Sequence, residues 1–171
     1  MNLDELFGAA LEVPGVLTID EVAAVRDRLE RRGYTRHALI DRGLYDLAPD
    51  PDEPALFDRM LAHATRLIGV TLAVIGARAI RLGPGDYVLA HHDPPHANRP
   101  VELVLDLSPR PVPGAELHYR RRGQVYFRFA CTPGALAIVE RGPTVTSNHT
   151  YVSKRDASAS VVRLVVQARA G

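Results

Sequence analysis

The chain has 171 residues, 46% of them hydrophobic and 24% charged, with a net charge of +1. That length and balance belong to a globular domain with a buried core, and near-neutral charge argues against a nucleic-acid or membrane-surface partner. The single cysteine, Cys131, excludes an internal disulfide framework.

The opening segment "MNLDELFGAA" is acidic and lacks the layout of a signal peptide. The longest apolar run, Leu67 to Ala77, is too short to cross a bilayer core of ~30 Å as a helix, so a cytoplasmic location is expected. In "TIDEVAAVRDRLERRG", Thr18 and Glu21 form a capping box, Val22, Val25 and Leu29 recur at helical spacing, and Gly33 stops the run. A mostly irregular stretch then leads to Pro51. In "DEPALFDRMLAHATRLIG", Pro54 suits a first turn, Leu56, Met60, Ala64 and Leu67 form an apolar stripe, and Gly69 ends it.

From Val70 the pattern changes to short β-branched or aromatic runs: "VTLAVIGARAIRL", "DYVLAHHD", "VELVLDLS", "AELHYRR", "QVYFRFA", "ALAIVERG" and "SVVRLVVQA". Pro, Gly and polar turn residues punctuate them. Helices first and then about eight strands with no helices between them predict one domain over 1–171. In it, a helical support region (1–69) covers one face of a jelly-roll core (70–171).

The chemistry concentrates in "GDYVLAHHDPPHANR". On a strand, residues two apart point to one side, so His91 and Asp93 project together while His92 faces away. An imidazole nitrogen and a carboxylate oxygen aimed into one cavity give two positions on a divalent metal. A third ligand from another strand would complete a two-His-one-carboxylate face, the arrangement of non-haem Fe(II) oxygenases. His149 in "TSNHTYV", read as opening a late strand, is the candidate. An H-x-D pair is a weak signal alone; what strengthens it is the order of H-x-D, several strands, a late His and an Arg on the last strand.

In that order the chain resembles the Fe(II)/2-oxoglutarate-dependent oxygenases, in particular their prolyl-hydroxylase-like branch. The matching pieces are "GPGDYVLAHHDPPHANR", "VLDLS", "PGAEL", "TPGALAIVERG", His149 and "SVVRLVVQA", and "GVLTIDEVAAVRDRLERRGY" is similar to the family's opening helix. The resemblance implies a double-stranded β-helix (jelly roll, cupin-like) core. It implies Fe(II) held by His91, Asp93 and His149, with 2-oxoglutarate and O2 as cosubstrates. It places Arg163 on the distal carboxylate of 2-oxoglutarate, for which a planar guanidinium fork is the suited partner. The implied reaction decarboxylates 2-oxoglutarate to succinate and CO2 and hydroxylates an unactivated C–H of an amino acid, a peptide or protein side chain, or a small metabolite.

Three departures bear on the cosubstrate. The gap from His149 to Arg163 carries an insert, "SKRDASAS", which makes Arg155 a competing cosubstrate residue. Where relatives have a cosubstrate-binding Tyr, ten residues before the first metal His, stands Arg81, a second cation for a carboxylate or a substrate contact. Asp106 falls near a second such Tyr, where an acid would repel a carboxylate.

Other residues divide between bland and functional readings. His92 reads as packing and His96 as a solvated loop residue. Arg120, Arg121 and Arg122 read as a soluble turn, or as a docking patch for an acidic partner. Arg99, His118 and Arg128 are the substrate-binding candidates. Arg128 enters the cavity if Phe127 and Phe129 pack outward, and is solvated if they pack inward; Glu116 and His118 share one strand face. Cys131 reads as structural. The alternatives to an oxygenase are a non-catalytic or metal-binding jelly-roll protein that has lost 2-oxoglutarate turnover, and a cupin-type isomerase or dioxygenase.

Overall fold

The computed structural model describes residues 10–91, 101–142 and 144–171, residue 91 by its backbone alone. His92, Asp93, His96 and Arg99 lie outside the described residues. Among the described residues, two helices, α1 (Ile19–Arg32) and α2 (Pro54–Ile68), accompany eleven strands. These are β1 (Ala10–Val13), β2 (Thr35–Leu39), β3 (Gly43–Pro49), β4 (Leu72–Leu82), β5 (Tyr87–His91), β6 (Val101–Asp106), β7 (Leu117–Arg121), β8 (Gln124–Phe129), β9 (Leu136–Glu140), β10 (Val145–His149) and β11 (Val161–Ala170).

All pairings are antiparallel, in the order β1-β9-β6-β11-β4-β3-β5-β10-β7-β8, with β2 paired to β3. Two interleaved groups, β9-β6-β11-β4 and β5-β10-β7-β8, are joined through β3, which gives a nearly closed, barrel-like sheet consistent with a jelly roll. The structure corrects the sequence reading in two places here. The stretch before Pro51 is a hairpin, β2–β3, rather than irregular chain, so the region before residue 70 supplies three strands as well as both helices. His149 closes β10 rather than opening a strand.

Alternation sorts the side chains. Along β11, Val162, Leu164, Val166 and Ala168 join one buried cluster with Val22, Val25 and Leu29 of α1 and Leu56, Met60, Ala64 and Ile68 of α2. Ile68, one residue beyond the expected Leu67, completes the α2 stripe, while Leu67 is half-buried against it. The capping box of Thr18 and Glu21 forms, with Thr18 N–H donating to Glu21 at 2.8 Å and Glu21 N–H to Thr18 at 3.2 Å. The opposite face of β11, with Val161, Arg163 and Val165, turns into the barrel beside Val104, Leu117, Tyr119, Phe129 and Ile80.

Strand β3 begins at Gly43, where φ is +130° and an added Cβ would lie 2.2 Å from the Tyr87 carbonyl oxygen. Backbone meets backbone there, so nothing flexible can give way. We expect Gly43→Ala to cost about 3 kcal/mol in stability, read from denaturant midpoints; a loss below 1 kcal/mol would show that the crossing is looser.

Asp86 locks the turn before β5. Arg36 donates both Nη atoms to its carboxylate, at 2.7 and 2.6 Å, and Gly83 N–H adds a third bond at 2.9 Å. Burial pushes this carboxyl up, but the bonds from Arg36 and Gly83 outweigh it and hold the group below its ordinary value. A depressed carboxyl contributes stability above its unfolded value of about 3.9 that drains away as pH falls through the folded one. Unfolding midpoints measured at successive pH values should therefore fall in the acid range below about pH 4, and Asp86→Asn should flatten that fall.

Candidate functional site: a buried arginine and a histidine in the barrel

Inside the barrel lies a cavity of about 200 Å3, lined among others by Arg42, Arg78, Val88, Glu102, Ser147 and His149. Register builds its wall. His149 stands opposite Val88 and Ser147 opposite His91, with a bulge between, so position 91 is paired with an inward-facing residue. A bulge adds a residue to one strand and resets which residues share a face.

Arg163 is 1% exposed, the largest of the fully buried side chains among the described residues. Its Nη1 lies 3.0 Å from His149 Nδ1 and its Nη2 donates to the Ala115 carbonyl at 2.8 Å. Its Nε is buried and, among the described residues, has no hydrogen-bond partner. A guanidinium has only donors, so His149 Nδ1 accepts in this arrangement and a neutral ring carries its proton on Nε2. Burial pushes the guanidinium's pKa down, an effect opposed chiefly by the charge of Asp106; arginine stays protonated regardless.

Asp106, opposite Arg163 in the register of β6 with β11, is fully buried. Its carboxylate accepts from the N–H groups of Ser108 (2.8 Å) and Thr132 (3.1 Å). Those two amide bonds satisfy the buried carboxylate. Near the cavity's other side, Glu102 accepts from Tyr119 OH at 2.6 Å and from Arg141 Nη1 at 2.9 Å, with all three side chains buried. Sequence reading did not single out this triad. The signal available was an acid alternating inward with Val104 and Asp106 on a strand otherwise made of apolar residues.

The other expected residues fall elsewhere. Arg81 does not reach the cavity: it is registered with Val162, a helix-side residue. Its guanidinium is held by Glu30 of α1 (2.6 Å) and Asp46 (3.0 Å), over the Tyr34 ring. Arg155 is exposed on the turn after β10, so its guanidinium does not compete with that of Arg163 inside the barrel. Phe129 is buried and Phe127 half-buried in the barrel interior, which leaves Arg128 exposed on the outer face. His118 alternates with the inward Leu117 and Tyr119 and so is on the outer face as well, its Nε2 2.6 Å from Glu116 Oε2. The outer face of β5, β10 and β7 forms an open groove of about 710 Å3 that includes Leu89, Arg120, Arg122, Asn148 and Tyr151. Cys131 is buried, its Sγ 3.6 Å from the Arg110 carbonyl, and burial pushes its thiol up, as suits a structural residue. Among the described residues, no three His, Cys, Asp or Glu side chains gather as a metal cluster.

No family model matches the chain. No curated protein matches it either. Solved structures do. A prolyl-4-hydroxylase from Pseudomonas putida is 19% identical, with a TM-score of 0.68 over 99% of this chain and 97% of that one. An oxidoreductase of the 2OG-Fe(II) oxygenase family from Burkholderia pseudomallei is 12% identical, with a TM-score of 0.72 over 94% and 85%. The fold is that of the Fe(II)/2-oxoglutarate oxygenases. HygX from Streptomyces hygroscopicus, solved with nickel and 2-oxoglutarate bound, shares this oxygenase fold at 12% identity, with a TM-score of 0.70 over 98% and 85%. No described helix is long and apolar enough to cross a membrane.

Proposed function

We propose that the protein is a non-haem Fe(II)/2-oxoglutarate-dependent dioxygenase, built on a double-stranded β-helix, that hydroxylates a small molecule or peptide. The observation that carries this reading is Arg163. A guanidinium buried inside a barrel, with Nε unpartnered and no acid within ion-pair distance among the described residues, suits an anionic guest. The residues present fit a dicarboxylate cosubstrate on that ground. His91, Asp93 and His149 are assigned to the metal, the first two from sequence and His149 also from its place on the cavity wall.

When bound, iron and 2-oxoglutarate would supply the dioxygen chemistry that inserts oxygen into a C–H bond. The chain's own residues set the conditions. Arg163 would take the distal carboxylate on its free edge, and Asp106, satisfied by two amides, would stay clear of it. The apolar walls of Ile80, Leu117 and Val165 would keep water from the guest. A carboxylate drawing Arg163 away would release His149 Nδ1, so that the ring can place its proton there and turn Nε2 to a metal.

That same Arg163–His149 bond favours a second reading. While it stands, Nε2 carries a proton, and an N–H does not ligate a metal; a jelly-roll protein that binds a carboxylate without turnover would keep this arrangement. Succinate release separates the two. Purified protein with Fe(II), 2-oxoglutarate and O2 should form succinate, and Asp93→Ala should abolish it. No succinate from iron-loaded wild type would leave the second reading.

A further inference from the structure

The cavity holds more positive charge than a single cosubstrate accounts for. Arg78 lies on the inner face of β4, paired with Val165 of β11 and Pro49 of β3. It is half-buried and lines the cavity together with Arg42, which sits at the end of the β2–β3 turn. Neither forms an ion pair with any described residue. Asp50 lines an adjoining groove with Arg78, without an ion pair joining them. Glu102, the acid on the cavity wall, is already answered by Arg141 and Tyr119.

A half-buried guanidinium with no described acid paired to it is costly, and an oxyanion from outside relieves that cost. Arg78 is also separate from Arg163. Arg163 pairs with Ile80, and Arg78 is two residues from Ile80 on the same face, one inner step of ~7 Å along the strand. A cavity of about 200 Å3 is below the ~300–1,000 Å3 of drug-sized sites, so it admits a small charged group rather than a whole large ligand.

We propose that Arg78, assisted by Arg42, binds an oxyanionic group, a carboxylate or phosphate, of the molecule that is to be oxidised. The role as a substrate site rests on the oxygenase reading; the anion site itself does not. Arg163 serves the cosubstrate, and Arg78 selects an acidic substrate by its charged end.

Saturation-transfer NMR with glycolate and with methylammonium, and 31P line broadening with inorganic phosphate, test this on the full-length protein. The comparison is between wild type, Arg78→Gln, Arg42→Gln and Arg163→Gln, with 2-oxoglutarate present. Glycolate or phosphate should bind wild type and Arg163→Gln within about two-fold of each other, and methylammonium should not bind. Which anion binds tells carboxylate from phosphate. Arg78→Gln should weaken anion binding at least ten-fold and Arg42→Gln about three-fold, the latter at an exposed turn where folding is not at stake. Anion binding lost in Arg163→Gln but kept in Arg78→Gln would overturn the proposal, as would equal binding of methylammonium. So would loss of 2-oxoglutarate binding itself in Arg78→Gln, which would make Arg78 part of the cosubstrate site. Arg78-dependent anion binding without succinate formation would sink the oxygenase reading and leave the anion site standing.

Discussion

Arg163→Met is expected to abolish 2-oxoglutarate binding while leaving a folded barrel. Truncating one side of a buried, hydrogen-bonded charge pair costs about 2–5 kcal/mol, or roughly 30- to 5,000-fold in affinity. The effect on stability should be far smaller. Methionine abandons two hydrogen bonds, to His149 Nδ1 and the Ala115 carbonyl, but it also removes a charge that is fully buried and, among the described residues, without an ion pair. These contributions oppose each other, so the unfolding free energy should move by no more than about 1–2 kcal/mol. Arg163→Lys keeps the charge and loses the fork, and should fall between the two. Anaerobic calorimetry and thermal unfolding on the three proteins decide it. Wild-type affinity in Arg163→Met would remove the cosubstrate role; collapse of the fold in both variants would make Arg163 a structural residue.

The largest stability effect is expected at the opposite side of the cavity. Glu102 and Arg141 have side chains 2% and 5% exposed, paired at 2.9 Å. Arg141→Met takes from the buried Glu102 carboxylate the guanidinium paired with it while the bond from Tyr119 OH stays, at a cost of about 3–5 kcal/mol. The penalty carries a pH signature. A buried carboxylate that loses a paired cation titrates higher than before, so the variant should be weakest at neutral pH and regain ground as pH falls and Glu102 takes up a proton. Adding Glu102→Gln removes the buried charge while keeping a partner for Tyr119, and the double variant should recover most of the loss. Denaturant unfolding of the four proteins of that cycle gives the coupling. Additive losses would mean that the two charges stabilise the fold separately.

These residues show what sequence can and cannot carry. The inward phase of Arg163 follows from "SVVRLVV", where every neighbour is apolar and the two faces of β11 are buried differently. The capping box and the α2 stripe are equally local. Arg81 shows the limit: counting back from His91 ignores the Gly83-Pro84-Gly85 turn and the bulge in β5, each of which resets phase. The alternation of Ile80 and Leu82 into the barrel was the signal that would have turned Arg81 toward α1. The β2–β3 hairpin escaped because β2 is mostly exposed and lacks an apolar face; its place is set by pairing of β3 with β4, including the distant ion pair of Asp46 and Arg81. Strand β1 is four residues long and pairs with β9, some 126 positions away in the register of Ala10 with Val139 to Val13 with Leu136, which no local pattern announces. For Arg128 the alternation with two phenylalanines was visible, but not which face met the interior.

The measurement that bears most directly on the central claim is an anaerobic titration of the metal-free protein with Fe(II) and then 2-oxoglutarate, followed by visible absorption. A metal-to-ligand charge-transfer band that appears only with both, and is absent from Arg163→Met and Asp93→Ala, is the result this account predicts. Iron binding with no band on adding 2-oxoglutarate would contradict the cosubstrate assignment, and failure to bind iron would contradict the oxygenase reading itself.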